Sequence, residues 1–231
     1  MQVRRDLPVL IFAVGASAEL GTAIFDYPGH SLIFKPLIMI GLMAYYYVLS
    51  PARSRLFFVA LFFCWLGDVL LIFQSKDSLF FISGLASFLT GHIVYIFCYR
   101  QLQTISSSKE LLGSQKVRFA FPIILAGTGL VTILYPLLGA LRIPVMIYAL
   151  AITLMALTAL FRYGRTNSTS FLLIFIGAVL FMISDSVLAI NKFHHSFSSA
   201  AALIMLTYCL AQFFIVEGAL CHERLFNENA K

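Results

Sequence analysis

The chain has 231 residues, of which 61% are apolar, 15% aromatic and only 11% charged, and its mean hydropathy is +0.94. Water-soluble domains carry about 45–50% apolar and about 25% charged residues, so this composition excludes a soluble globular protein and predicts an all-α, polytopic integral membrane bundle. The net charge of +6 does not point to nucleic acid, because the basic residues are scattered over short loops instead of forming a polyanion-binding face.

A crossing needs about 17–25 mostly apolar residues, and cutting at charged or Pro/Gly/Ser-rich breaks predicts eight transmembrane helices. They cover 7–25, 32–49, 56–73, 79–99, 119–138, 143–161, 171–190 and 199–220, in one transmembrane domain over 1–231. The first follows Arg4 and Arg5 and passes through Ala16-Ser17-Ala18, which imitates a secretory signal, but Glu19 and the apolar run beyond it favour a retained span. The breaks are Asp26 to His30, Ser50-Pro51, Gln74 to Ser78, Arg100 to Arg118, Gly139 to Arg142, Arg162 to Ser168 and Asn191 to Ser198, and Arg100 to Arg118 alone is long enough for a linker. Cys64, Cys98, Cys209 and Cys221 lie in or at the ends of apolar runs without metal-like spacing, which predicts packed thiols, not disulfides or a zinc site.

The lysines and arginines set the orientation. Arg4, Arg5, Arg53, Arg55, Arg100, Lys109, Lys116, Arg118, Arg162, Arg165, Arg224 and Lys231 fall on one side; Lys76, Arg142 and Lys192 fall on the other. The twelve-to-three bias alternates loop by loop and puts both termini in the cytoplasm. A weak internal repeat accompanies it. CWLGDVLLIF in the third span and FMISDSVLAINKF in the seventh each carry an Asp after a small residue and a Val-Leu soon after, as a parallel 4+4 repeat would.

A charge at the centre of a spanning helix costs about 2.5–3.5 kcal/mol on insertion scales, so each asks for a partner or a purpose. The polar residues inside the spans are Glu19, Lys35, Asp68, His92, Asp185, Gln212 and Glu217. Counted from the cytoplasmic edge, Glu19, Asp68 and Asp185 lie roughly 18 to 23 Å deep, with Lys35 slightly further out, which predicts one shared polar pocket. Glu19 with Lys35 also reads as a structural ion pair, and Lys35 as a snorkelling residue. His92 with Tyr95, and Tyr208 with Gln212, read equally as interhelical hydrogen-bonding pairs. Glu217 reads as interfacial, and His194 and His195 as solvated loop residues. No arginine lies within a span and Lys35 alone cannot neutralise three carboxylates, so at least one carboxyl is expected to stay protonated at neutral pH. An acid beside an ionised carboxylate suits acid–base hydrolysis; it suits a proton-coupled transporter as well.

Several motifs resemble one family: Lys35-Pro36, Gly67-Asp68, GLASFLTGHIVY from Gly84, MIYALAITLMAL from Met146, GAVLFMISDSVLAINKF from Gly177 and TYCLAQFFI from Thr207. This ordered set is similar to the YhhN-type membrane proteins, which include the lysoplasmalogenases. The resemblance implies an eight-span hydrolase that cleaves the vinyl ether bond of a lysophospholipid with an alkenyl chain, releasing a fatty aldehyde and glycerophospho-ethanolamine or -choline. It implies Asp68 and Asp185 as the catalytic acids, because they match the family's two acidic motifs. The chemistry agrees with the residue types: vinyl ether hydrolysis passes through an oxocarbenium ion, for which one carboxyl gives a proton and another activates water. Lys35 would bias one carboxyl towards ionisation or contact the phosphate. Glu19, His92, Tyr95, Tyr148, Tyr208 and Gln212 would line the substrate site. No cofactor or metal is expected, because no His/Asp/Glu set has ligand spacing on one helix face. The expected location is multi-pass in the bilayer, in the cell membrane of a bacterium or an endomembrane of a eukaryote.

Two rival readings remain. An intramembrane aspartyl protease also uses two spans with one aspartate each, but Trp65 stands where its motif has a second glycine, and Ser184 stands before Asp185 where it has a tyrosine. A transporter would use Asp68 and Asp185 as relay groups, with paired Gly/Pro interruptions near the midplane of both halves. A retinal-type photoreceptor is disfavoured, because the intramembrane lysine stands in the second span.

Overall fold

Eight apolar helices form the protein in a computed structural model that describes residues 3–25, 31–103 and 111–229. They are α1 (Val3–Phe25), α2 (Ser31–Leu49), α3 (Arg55–Ile72), α4 (Ser78–Gln101), α5 (Gly113–Leu134), α6 (Arg142–Leu160), α7 (Ser168–Phe193) and α8 (Ala200–Asn229). Each contains a stretch long and apolar enough to cross a membrane, and no strand occurs among the described residues. Every helix turns bare apolar side chains outward, from Leu10 on α1 to Leu206 on α8. In water such a surface would be a large uncompensated patch; in lipid it is the required one.

Polar residues in the breaks cap the helices. Ser54 accepts from the Phe57 amide at 3.4 Å and opens α3, Asp77 accepts from Leu79 at 2.8 Å and opens α4, and Asn167 accepts from Ser170 at 2.8 Å and opens α7. These bonds satisfy amides that a helix start leaves without partners. The linker expected over Arg100 to Arg118 is shorter than its polarity suggested, because α4 runs to Gln101 and α5 already begins at Gly113. Gln115 accepts from the Leu112 amide at 2.9 Å and secures that early start. Between α5 and α6 the break tightens into two short 3₁₀ turns, Tyr135–Leu137 and Gly139–Leu141. The Asp26 to His30 break, Lys109 and Lys231 lie outside the described residues.

The closest helix pair is α7 with α8, and small residues make it possible. A Cβ on Gly177 would stand 2.9 Å from the Ala211 carbonyl oxygen and 2.8 Å from Ile215, and one on Gly218 would meet the Ile174 amide at 3.0 Å. In lipid, helices associate through such backbone approach and not through hydrophobic exclusion. α3 packs on α4 as α7 packs on α8, and α2 touches α8 as α6 touches α4. This correspondence between halves fails for α1, which packs on both α2 and α8, while α5 packs chiefly on α6.

At the end of the bundle that carries the α6–α7 turn, the structure corrects a loop assignment. Arg162, counted with the solvated loop arginines, is fully buried. Its guanidinium donates to the Leu102 carbonyl from Nε and Nη2 at 3.1 and 3.0 Å. It also donates to the Ser170 carbonyl at 3.2 Å and the Ser170 hydroxyl at 2.8 Å. Nearby, α8 continues past the expected end at Leu220, and buried Glu223 accepts from Tyr46 of α2 and from Ser50 just beyond it, each at 2.5 Å. Glu217, expected at the interface, is half-buried and accepts from Tyr45. The four cysteines are free; Cys64, Cys98 and Cys209 are buried and Cys221 partly so.

Candidate active site

The carboxyl of Asp68 projects from the last turns of α3, between Gly67 and Val69, where the helix is otherwise apolar. It is 2% exposed, and Tyr208 of α8 donates to its Oδ2 at 2.6 Å. Lys35 of α2 stands 3.9 Å from its Oδ1. The Tyr208 ring is held edge-on by Phe88 and Phe181, at centroid distances of 6.1 and 5.5 Å, so its hydroxyl has one well-defined aim. Asp185 occupies the corresponding place near the end of α7, and Tyr148 of α6 donates to its Oδ2. His92 of α4 sits 3.7 Å from the same oxygen, beyond hydrogen-bond range. Its ring is fully buried between Tyr148 and Phe181, and neither of its nitrogens has a hydrogen-bond partner.

Asp68 and Asp185 line one polar cavity together with Glu19, Lys35 and Tyr208. The cavity has a volume of about 270 Å³, close to the lower end of the range of about 300–1,000 Å³ usual for small-molecule sites. It runs from the two aspartates to Gln74 and Asn191, at the ends of α3 and α7, where Lys192 donates to Gln74 at 3.4 Å. Such an enclosure has charged and hydroxyl groups on one side and apolar helices around it. It can bind a polar head group, hold water against two carboxyls and exclude bulk solvent.

The pairings differ from those expected within it. Lys35 pairs with Asp68 and not with Glu19; Glu19 is 4% exposed, with Oε2 unpartnered and the residue lining the cavity. Tyr95 bonds Gln212 at 2.8 Å and Tyr208 bonds Asp68, in place of the local pairs His92 with Tyr95 and Tyr208 with Gln212. Tyr95 and Gln212 are buried away from the cavity lining, and Tyr148 and His92 reach the site through Asp185. His194 and His195 are exposed. Among the described residues, no group of three or more His, Cys, Asp or Glu is placed to hold a metal ion.

The pattern of the YhhN family matches residues 30–219, which takes in seven of the eight helices and both aspartates. The chain belongs to the YhhN family. Human lysoplasmalogenase TMEM86A (Homo sapiens) is 31% identical over 176 residues, covering 74% of this chain and 67% of that protein. Human lysoplasmalogenase TMEM86B is 30% identical over 191 residues, 81% of this chain and 74% of its own length. A lysoplasmalogenase of Mycobacterium tuberculosis is 30% identical over 165 residues, 67% of this chain and 59% of its own. No solved structure matches the chain.

In this YhhN protein, sequence reasoning missed several cavity residues. Thr22, Gln74, Ser184 and Asn191 all line it. Ser184 carried a usable signal, since it directly precedes Asp185; its hydroxyl donates to the Ile204 carbonyl at 3.1 Å and fixes α7 against α8 beside the carboxyl. Gln74 and Asn191 stood in breaks and read as loop polarity.

Proposed function

We propose that this protein hydrolyses the vinyl ether bond of lysoplasmalogen by carboxyl acid–base catalysis. The observation that carries this reading is two aspartates, from α3 and α7, lining a single polar cavity inside an otherwise apolar bundle. The names of its relatives give the substrate class. One carboxylic acid protonates the β-carbon of the vinyl ether, the double bond supplying the electron pair, and leaves an oxocarbenium ion at the α-carbon. The other carboxylate takes a proton from water as its oxygen bonds that carbon, giving a hemiacetal. Cleavage of the bond to the glycerol oxygen, with a proton delivered to that oxygen and the hemiacetal proton removed, gives aldehyde and alcohol. Carboxylate also stabilises the cation electrostatically in a site shielded from bulk water.

The other groups have supporting parts. Lys35 holds Asp68 as an ion pair and lies close enough to the cavity to meet a phosphate, while Tyr208 and Tyr148 fix one oxygen of each aspartate and leave the other for substrate or water. Glu19 lines the same cavity; Tyr95 and Gln212 brace α4 against α8 behind the site. The chain acts as one transmembrane domain with both termini cytoplasmic, since without Arg162 the basic bias is still eleven to three.

The test is aldehyde release from lysoplasmalogen by detergent-solubilised protein, beside an ester-linked lysophospholipid and the Asp68→Asn and Asp185→Asn variants. Aldehyde from the vinyl ether alone, lost in both folded variants, is the expected result. Near-wild-type turnover in either variant, or none in folded wild type, refutes the reading.

A further inference from the structure

A second hollow adjoins the first. It is a narrow slot between α4, α5, α6 and α7, about 40 Å³ in volume and open on one side, and its walls include Leu85, Gly127, Leu130, Ala149 and Ile152. Asp185 and Leu188 line both the slot and the polar cavity. Besides Asp185, the polar side chains in the slot are Tyr148, whose hydroxyl is spent on Asp185, and Ser186, which donates to the Met182 carbonyl at 2.6 Å. A polar ligand would lose its hydration there without new partners, whereas a hydrocarbon would not.

We infer that the slot takes the first carbons of the lipid's hydrocarbon chain, the rest of which leaves by the open side, while the cavity receives the glycerophosphate end, so that Asp185 meets the vinyl carbons and Asp68 meets the water. This assignment rests on the lysoplasmalogen reading. An amphiphile of this class has one boundary between its polar and apolar parts, and the vinyl ether is that boundary. The two hollows have one boundary too, at Asp185 and Leu188. The β-carbon lies one bond further along the chain than the α-carbon that water attacks, so the carboxyl at the slot is the one placed to protonate it. Asp68 lies on the cavity side with the Lys35 ammonium 3.9 Å away, the setting of a carboxylate that accepts a proton from water. The protons balance over a cycle. Asp185 gives one to carbon and regains one from the hemiacetal hydroxyl, and Asp68 takes one from water and returns it to the departing glycerol oxygen.

Slot residues therefore determine chain-length preference. Narrowing variants Ala149→Phe and Ala189→Phe are compared with wild type on lysoplasmalogens of short and long alkenyl chain, by kcat/KM for aldehyde release. The long-to-short ratio is expected to fall at least about tenfold, the scale of discrimination that a lost apolar subsite gives. An unchanged ratio overturns the inference. Since a phenylalanine at buried Ala149 can also prevent folding, a second measurement uses the wild-type sequence and the Asp185→Asn variant. A lysophospholipid with a photoactivatable diazirine among the first carbons of its chain is expected to label α5 and α6 between residues 127 and 152. Labelling confined to α1 and α2 overturns the chain assignment even if aldehyde is released. Labelling in the slot without aldehyde release from wild type upholds the chain site and refutes the reaction.

Discussion

Replacing Arg162 by methionine removes a fully buried charge that the helices are built around. Burial pulls its guanidinium down to about 10, so the charge is costly to hold there. Against this stand four hydrogen bonds to the Leu102 carbonyl, the Ser170 carbonyl and the Ser170 hydroxyl. Bonds to a charged group contribute about 1.5–3 kcal/mol each. Methionine is apolar and similar in length, so it escapes the cost but leaves the Leu102 carbonyl at the end of α4 without its donors. The net loss should be about 3–5 kcal/mol, the range for breaking a buried charged network. For a chain of this size that is a fall in Tm of about 6–20 °C, read by thermal unfolding of the detergent-solubilised protein. The sign of its pH dependence is also fixed. A base with a lowered folded-state pKa is unfavourable while charged, and that cost is relieved only as pH climbs above about 10. The difference between wild type and variant should therefore stay constant across neutral pH. A fall of less than about 2 °C, or a difference that changes near pH 7, would refute the account.

The remaining predictions concern the carboxyls and the helix pair that carries Asp185. Tyr208→Phe removes the hydroxyl that donates to Asp68 but keeps the ring between Phe88 and Phe181. It should lower kcat/KM about 10- to 100-fold and Tm by about 3–12 °C, since one hydrogen bond to a charged group is worth about 1.5–3 kcal/mol; a change in kcat/KM of less than threefold would show that Asp68 does not depend on it. Gly177→Ala drives a methyl against the Ala211 carbonyl and Ile215 and should cost about 1–3 kcal/mol, seen as a lower Tm with chain-length preference intact.

The membrane fold was legible because a run of apolar residues must span and a charge inside it cannot be hidden by composition. Asp68 and Asp185 stood out for that reason, and counting residues from the edge gave their depth. Counting gives no azimuth, however, so it could not tell that Tyr208 turns to Asp68 while Tyr95 turns to Gln212. The apolar slot was invisible for a related reason. In a soluble helix the buried face is marked by polarity on the other side, whereas here lipid-facing and bundle-facing residues are equally apolar, and Ala149 and Ile152 differ from their neighbours only by position. Arg162 misled because a basic residue at a helix end looks solvated, and nothing in its local sequence reveals the Leu102 carbonyl sixty residues away.

The cavity draws Glu19 from α1, Lys35 from α2, Asp68 from α3, Asp185 from α7 and Tyr208 from α8. Three helices, α4, α5 and α6, separate the two carboxyls along the chain, so under the proposed reaction the acid pair is complete only once α7 has been made. A nascent protein halted after α6 would carry Glu19, Lys35 and Asp68 but lack Asp185, and under the proposed mechanism it would not turn over the lipid around it. With the proposed acid pair split between α3 and α7, reactivity towards membrane lipid is withheld until both halves of the bundle are inserted.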